Sequence, residues 1–201
     1  MCFIGLTVGC VPPPEEHAEP PVQIREEMRS IPSVTQVYIQ GPFNVRLHTN
    51  KKQKASVTIR GDVVDLGYIK TRVEKGVLYV SVGEKRAHIG KRKLRLGYAD
   101  LDINLPRLHG FTYKGEGTIT AHKIHANPLD IWIANSGKST WDGYMNLRRL
   151  TLVGTGHTQI SGIHSHNLCV SMVGAPEVQL RGEANLKRLD IKGGGWISLY
   201  W

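Results

Sequence analysis

The feature that most constrains this chain is a seven-residue unit that recurs five times between residues 111 and 195. The copies are residues 111–117 (FTYKGEG), 131–137 (IWIANSG), 150–156 (LTLVGTG), 168–174 (LCVSMVG) and 189–195 (LDIKGGG). They lie 20, 19, 18 and 21 residues apart. Each has apolar residues at its first and third positions, the period of a strand with one buried face. Each closes on a glycine: Gly117, Gly137, Gly156, Gly174 and Gly195. Four residues past those glycines stand Ala121, Trp141, Ile160, Val178 and Leu199, which read as a second inward-facing strand. An asparagine then precedes the next unit at Asn127, Asn146, Asn167 and Asn185, a residue type that bonds its own backbone at turns. At equivalent turns of stacked units those amides are placed to bond one another.

No single 20-residue unit of this kind buries its apolar face alone, so the pattern predicts stacking. Residues 107–201 are therefore expected to form a β-solenoid of about 20-residue repeats. A β-sandwich of hairpins competes with this, but hairpins return every 8–12 residues or so, and the phase kept over five copies favours the coil. Residues 34–106 form a β-rich N-terminal half. Residues 37–47 (VYIQGPFNVRL) repeat the strand–glycine–strand idea at Gly41, and helix is expected only as a short turn near residues 63–68.

The N-terminal half and the repeats together resemble a bacterial family, the auto-transporter adhesin head GIN domain, whose function is unknown. The resemblance rests on Gly41-Pro42-Phe43-Asn44-Val45, on Gly61-Asp62, on the strand of residues 101–106 (LDINLP) and on the repeated Gly-x-Gly strands. It covers about residues 34–201 and implies a right-handed β-helix-like fold in the cell envelope, with adhesion or surface binding. Family repeats are commonly acidic, whereas no aspartate follows the closing glycines here and Met172 stands where a first small residue is usual. A calcium or polar role for such aspartates is therefore not carried over.

Residues 1–10 (MCFIGLTVGC) are apolar and uncharged and read as the tail of a signal peptide. They are too short to span a bilayer as a helix, which takes about 20 residues. Residues 7–10 resemble a lipobox, which makes Cys10 the candidate lipidation site. Residues 11–33, rich in proline and glutamate, read as an extended tether. Together these predict an exported lipoprotein of the envelope, outer membrane included.

Charge is uneven. Residues 1–30 hold five acids and two bases, for −3, so the total of +9 leaves +12 on residues 31–201. A basic folded part favours anionic partners. The densest basic run is residues 84–95 (EKRAHIGKRKLR), and Lys85, Arg86, Lys91, Arg92, Lys93 and Arg95 form a candidate patch for anionic glycan or lipid headgroups. The run lacks interleaved aromatics for base stacking, so nucleic acid is not an expected partner. The apolar end, residues 196–201 (WISLYW), is expected either to turn Ile197, Leu199 and Trp201 inward or to dock on a protein partner or a second copy.

Catalysis is not expected. The Gly-x-Gly pairs lead into strand rather than into a helix, which excludes a dinucleotide loop. Sugar cleavage needs two carboxyls within about 5–9.5 Å. Asp130, Asp142, Glu177 and Asp190 all sit at different places relative to the closing glycines. Of the nine histidines, His125 and His164 fall two repeats apart with Met145 between them, too far to share a zinc ion at about 2 Å per bond. Cys169 reads as a small strand residue without a partner. No cofactor is expected. The leading expectation is a non-enzymatic binding module. An envelope signalling or assembly component that binds one protein, and then a carbohydrate-active enzyme, follow it.

Overall fold

A computed structural model describes residues 23–83 and 99–201. The fold is all-β: one large, mostly parallel, open sheet of 13 strands among the described residues. In chain order the elements are β1 (Ile24–Ser30), β2 (Gln36–Gln40), β3 (Phe43–Thr49), β4 (Ser56–Asp62), the single helical turn α1 (Val63–Leu66), β5 (Ile69–Glu74), β6 (Val77–Val82), β7 (Ala99–Leu105) and β8 (Gly110–Lys114). The long strands β9 (Ile119–Asn135), β10 (Lys138–Gly154), β11 (His157–Gly174) and β12 (Glu177–Lys192) follow, and β13 (Trp196–Tyr200) ends the order.

β9 to β13 pair in parallel, each with the next. The long strands bend. In β10, burial alternates through Ser139 and Trp141, slips, resumes at Met145 and Leu147, slips again, and resumes at Leu150 and Leu152. The slips coincide with breaks in the register against β9 and β11. At the first slip Gly143 adopts φ +141°, and Gly162 takes φ +80° one strand later. A Cβ on Gly162 would lie 1.8 Å from the Gly143 carbonyl oxygen. No side chain fits where one backbone rests on the next in this way.

The register corrects the fourth repeat. Val170, not Leu168, pairs with Leu150 and Leu189. The true fourth unit is therefore residues 170–176, and the offsets become 20, 19, 20 and 19. Gly174 lies beside Gly154 in the first small column, and Pro176 takes the closing place that sequence spacing gave to Gly174. By the same shift Leu180, not Val178, pairs with Ile160 and Leu199. Spacing failed here because residues 168–174 also alternate apolar and polar, two residues out of phase.

The N-terminal half belongs to the same stack. Val37 and Ile39 of β2 pair with Phe111 and Tyr113 of β8, and β3 pairs with both β7 and β9. A Cβ on Gly115 would lie 2.1 Å from the Gly41 carbonyl oxygen, so Gly41 starts the first small column, and Phe43 holds the place that Gly117 takes one level on. β1, β4 and β5 pair antiparallel and cover the early end of the stack. β1 also shortens the expected tether: residues 24–30 are a strand paired with β4 rather than an extended linker.

The core runs the length of the stack. Its largest fully buried side chains include Trp141, Tyr113, Phe43 and Phe111. The Phe111 and Trp141 rings meet edge to face at 5.0 Å, and the Trp141 indole N–H donates to Ser139 Oγ at 2.7 Å. The Tyr113 hydroxyl donates to the Glu116 carbonyl oxygen at 2.7 Å and fills the turn that Gly115 and Gly117 make. At the other end, Ile197 and Leu199 pack on the core as expected. Trp201, expected inward, is 52% exposed, one residue past the end of β13.

Gly162→Ala should lower the thermal midpoint sharply, with a cost above about 2 kcal/mol, whereas Gly194→Ala should stay within about 0.5 kcal/mol. Gly194 has open space around its Cα. Equal effects in a urea or thermal melt would contradict the backbone-contact reading of the bends.

Candidate functional site

In a strand, residues two apart face the same side, so the parallel register lines up outward side chains from distant parts of the chain into rows. One outward row runs Tyr79, Tyr38, Thr112, Trp132, Thr151 across β6, β2, β8, β9 and β10. The row beside it runs Val77, Gln36, Gly110, Asp130, Arg149. Between them lies a shallow groove of about 510 Å³.

The first row is aromatic at three of its five places. Tyr38 and Tyr79 sit on adjacent strands with ring centroids 5.5 Å apart. Trp132 stands two strands from Tyr38, about 9.6 Å at the usual strand spacing. The strand between them contributes only Thr112 and Gly110, so a gap opens between the two ring systems. The Lys114 ammonium lies between the two rings and fills this space, 5.5 Å from the Tyr38 ring centre and 5.0 Å from that of Trp132. The Arg72 guanidinium lies 5.0 Å from the Tyr79 ring centre.

The charges of the groove differ in how they are held. Arg148 grips Asp130 with two N–H donors, the first at 2.9 Å, and that bond raises its pKa. Arg72 pairs with Glu74 at 3.2 Å. Among the described residues, Lys114 and Arg149 enter no ion pair. Arg149 lines the groove, and Lys114 stands among the rings beside it.

A second outward feature is a set of histidine–carboxylate pairs between neighbouring strands. His122 bonds Asp142, His157 Nδ1 lies 3.1 Å from Glu177 and His48 Nε2 lies 3.2 Å from Asp102. Opposite His125 the register places Tyr144, not Met145, and the Tyr144 ring stacks on His164 at 4.3 Å. Met145 is fully buried instead. Among the described residues no three of these side-chain types converge on one point as a metal group would require. The asparagine series forms one cross-strand bond among those described, Asn146 Nδ2 donating to Asn127 Oδ1 at 2.8 Å.

Cys10 and the basic residues Lys85, Arg86, Lys91, Arg92, Lys93 and Arg95 lie outside the described residues. Sequence reasoning missed the aromatic row because it followed the apolar positions of the repeat. Thr112, Trp132 and Thr151 occupy the repeat's second position, and aligning β2 and β6 on the same phase would have added Tyr38 and Tyr79.

The chain belongs to the family described as "Putative auto-transporter adhesin, head GIN domain", which it matches over residues 34–200. Among curated proteins none matches it. Among solved structures it is similar to a "putative adhesin" from Bacteroides fragilis, at 15% identity and a TM-score of 0.56, over 88% of this chain and 97% of that one. A "putative cell adhesion protein" from Clostridium sporogenes matches at 13% identity and a TM-score of 0.45, over 89% and 99% of the two chains. At these identities the first of them supports the fold.

The Asp142 carboxyl has the clearest shift among these surface pairs. Desolvation pushes its pKa up, but the Lys123 backbone N–H and His122 outweigh it and hold the carboxyl below its ordinary value. A depressed carboxylate adds stability above its unfolded pKa, near 3.8, and loses it as pH falls through the lower folded value. Asp142→Asn should therefore flatten the acid limb of a stability–pH curve below about pH 4 while leaving its shape above pH 5 unchanged. An unaltered acid limb would show that the pair does not couple to folding.

Proposed function

We propose that this chain is a non-enzymatic adhesive module of the bacterial cell envelope that holds saccharide against the aromatic–cationic face of its sheet. The observation that carries the reading is the row of Tyr79, Tyr38 and Trp132, with the Lys114 ammonium between the last two rings. Sugars present apolar C–H faces that stack on aromatic rings, and their hydroxyls suit a polar groove floor. Membership of the head GIN family and likeness to a "putative adhesin" support an envelope setting. Cys10, as the lipid-bearing residue, and the proline-rich segment after it would tether the module to a membrane, and the 84–95 basic segment would add a contact to anionic surfaces.

The body that presents this face is read as a right-handed coil. Lys138 at the start of β10 follows Asn135 at the end of β9 by three residue steps, about 11 Å at most. Yet Ser139 lies beside Ile119, at the start of the 17-residue β9. Run straight, β9 would span about 56 Å, so a chain that returns to its own start must wind. Right-handedness follows the strong preference of parallel crossover connections.

A second reading, an assembly component that binds one protein, is favoured by the exposed apolar side chains at the late end, Leu189, Ile191, Trp196 and Tyr200. One cell experiment separates the two. Cells expressing the full chain should hold it in the envelope fraction and adhere to polysaccharide-coated beads. Cys10→Ala should release the chain, and the pair Tyr38→Ala with Trp132→Ala should leave it anchored but cut bead retention at least fivefold. Unchanged retention by the aromatic pair would overturn the saccharide reading. Loss of retention on Leu189→Ser with Ile191→Ser instead would favour the protein-binding one.

A further inference from the structure

The core of the stack stops short at its late end, and on one side only. The inward column Val37, Phe111, Ile131, Leu150 and Val170 is at most 2% exposed, yet its last member, Leu189, is 39% exposed. The neighbouring column runs Ile39, Tyr113, Ile133, Leu152 and Met172, again at most 2% exposed, and ends on Ile191 at 42%. β13 pairs with Glu177–Arg181 of β12, whereas Arg188–Lys192 pair with β11 alone among the described residues. The end is therefore a step. β13 stands one level, about 4.8 Å, beyond the open half of β12.

We propose that this step is the interface of a two-fold dimer, in which the β13 of each chain adds to the open half of the other chain's β12. This rests on the wound-coil reading above, which puts β13 and residues 188–192 on different sides of one core. A stepped coil turned over onto a second copy fills both steps at once. Turning it over also reverses the sense in which it winds, so the facing strands run antiparallel. Such added strands are held by backbone hydrogen bonds, and their alternate side chains decide the match.

Here the match is with the chain's own sequence. Arg188–Lys192 and Trp196–Tyr200 are both five residues long, and one antiparallel register pairs them all. On the core side it sets Leu189 against the partner's Leu199 and Ile191 against the partner's Ile197, closing both open columns. On the outer side it sets Asp190 against the partner's Ser198, Arg188 against the partner's Tyr200 and Lys192 against the partner's Trp196. One carboxylate thus meets a hydroxyl, and two cations meet two rings. Within the chain a cation already sits on one of these rings, the Arg181 guanidinium lying 5.1 Å from the Tyr200 ring centre. The early end offers no such match. Its edge strands β1 and β5 expose Arg25, Glu26, Glu27, Lys70, Arg72 and Glu74, and charged edges of this kind discourage an added strand. A head-to-tail filament would press Leu189 and Ile191 against those charges, whereas late end on late end closes at two copies.

The test uses the full chain with Cys2, Cys10 and Cys169 replaced by serine. Light scattering should give twice the 22.4 kDa mass of one chain. Leu189→Lys with Ile191→Lys should return it to one chain while keeping the circular dichroism of the fold, since both side chains are already partly exposed. Mixing a Ser198→Cys chain with an Asp190→Cys chain should trap a disulfide-linked dimer under mild oxidation, because opposed antiparallel positions lie about 4.5–5.5 Å apart. Neither chain alone should be trapped, nor Ser198→Cys mixed with Thr112→Cys. Spin labels on Ser198 and Asp190 of one chain, diluted with unlabelled chain, check the coil separately. Ser198 lies beside Gln179, eleven residues before Asp190, so a straight β12 sets the labels about 36 Å apart and a wound one under about 25 Å.

The mass of a single chain up to the solubility limit, with a short label distance, would overturn the dimer and leave the coil standing. A dimer that survives both lysines, or is trapped through Thr112→Cys rather than Asp190→Cys, would put the contact elsewhere and overturn it too. If the lysine variant does not fold, the cysteine trap decides. A long label distance would remove the coil, and the step with it. Mass and trapping are read with no saccharide present, so the aromatic face stands or falls on its own test.

Discussion

Backbone resting directly on backbone sets the terms for the rest of this structure. At the tight turns between strands, and again at the bends inside the long strands, one level of chain lies against the carbonyl oxygens of the next. A Cβ at Gly115 would strike the Gly41 carbonyl, and one at Gly162 the Gly143 carbonyl. Parallel strands with side chains in continuous contact leave no room for an irregular turn, so each level must break at the same place. That requirement fixes the 19- and 20-residue offsets, keeps the inward rows in register and lets a thin body bury Trp141, Tyr113 and Phe111 completely.

The same constraint creates the outer surface. Once inward rows are fixed, outward rows are fixed with them, and residues far apart in the chain meet. Tyr38, Tyr79 and Trp132 become neighbours only because β6, β2, β8 and β9 share one register. The strands supply a rigid base, and the chemistry is carried by side chains that contribute little to folding. Substitution along the row should cost the fold little, because its side chains face outward.

Much of the fold was legible in the sequence because the apolar period and the glycines are imposed by packing. The five units, the all-β class, the single helical turn and the place of Gly41 all follow from that. The phase of the fourth unit did not, since Leu168, Val170 and Met172 are all buried and either frame satisfies the alternation. Pro176 in a glycine's place removed the remaining marker. The bend glycines Gly143, Gly162 and Gly182 recur at 19 and 20 residues and were readable, but they lie between apolar runs of unequal length. The groove was the least legible part. Its residues have no local motif, and only the alignment of β2 and β6 with the later repeats brings them together. The basic run of residues 84–95 drew attention by density of charge, whereas the cations of the groove are single residues spread along the chain.

The central claim is that strands β8 to β12 pair in parallel and bring Thr112, Trp132, Thr151, Ser171 and Asp190 into one row. Thr112 and Asp190 stand four strand spacings apart in one such row. Spin labels on cysteines placed at these two positions, with Cys169 replaced by serine, should give a single narrow distance centred at about 19 Å, widened only by the label arms. A hairpin sandwich would separate the same positions onto different sheets or strand ends. A broad distribution, or a centre beyond about 30 Å, would contradict the stack.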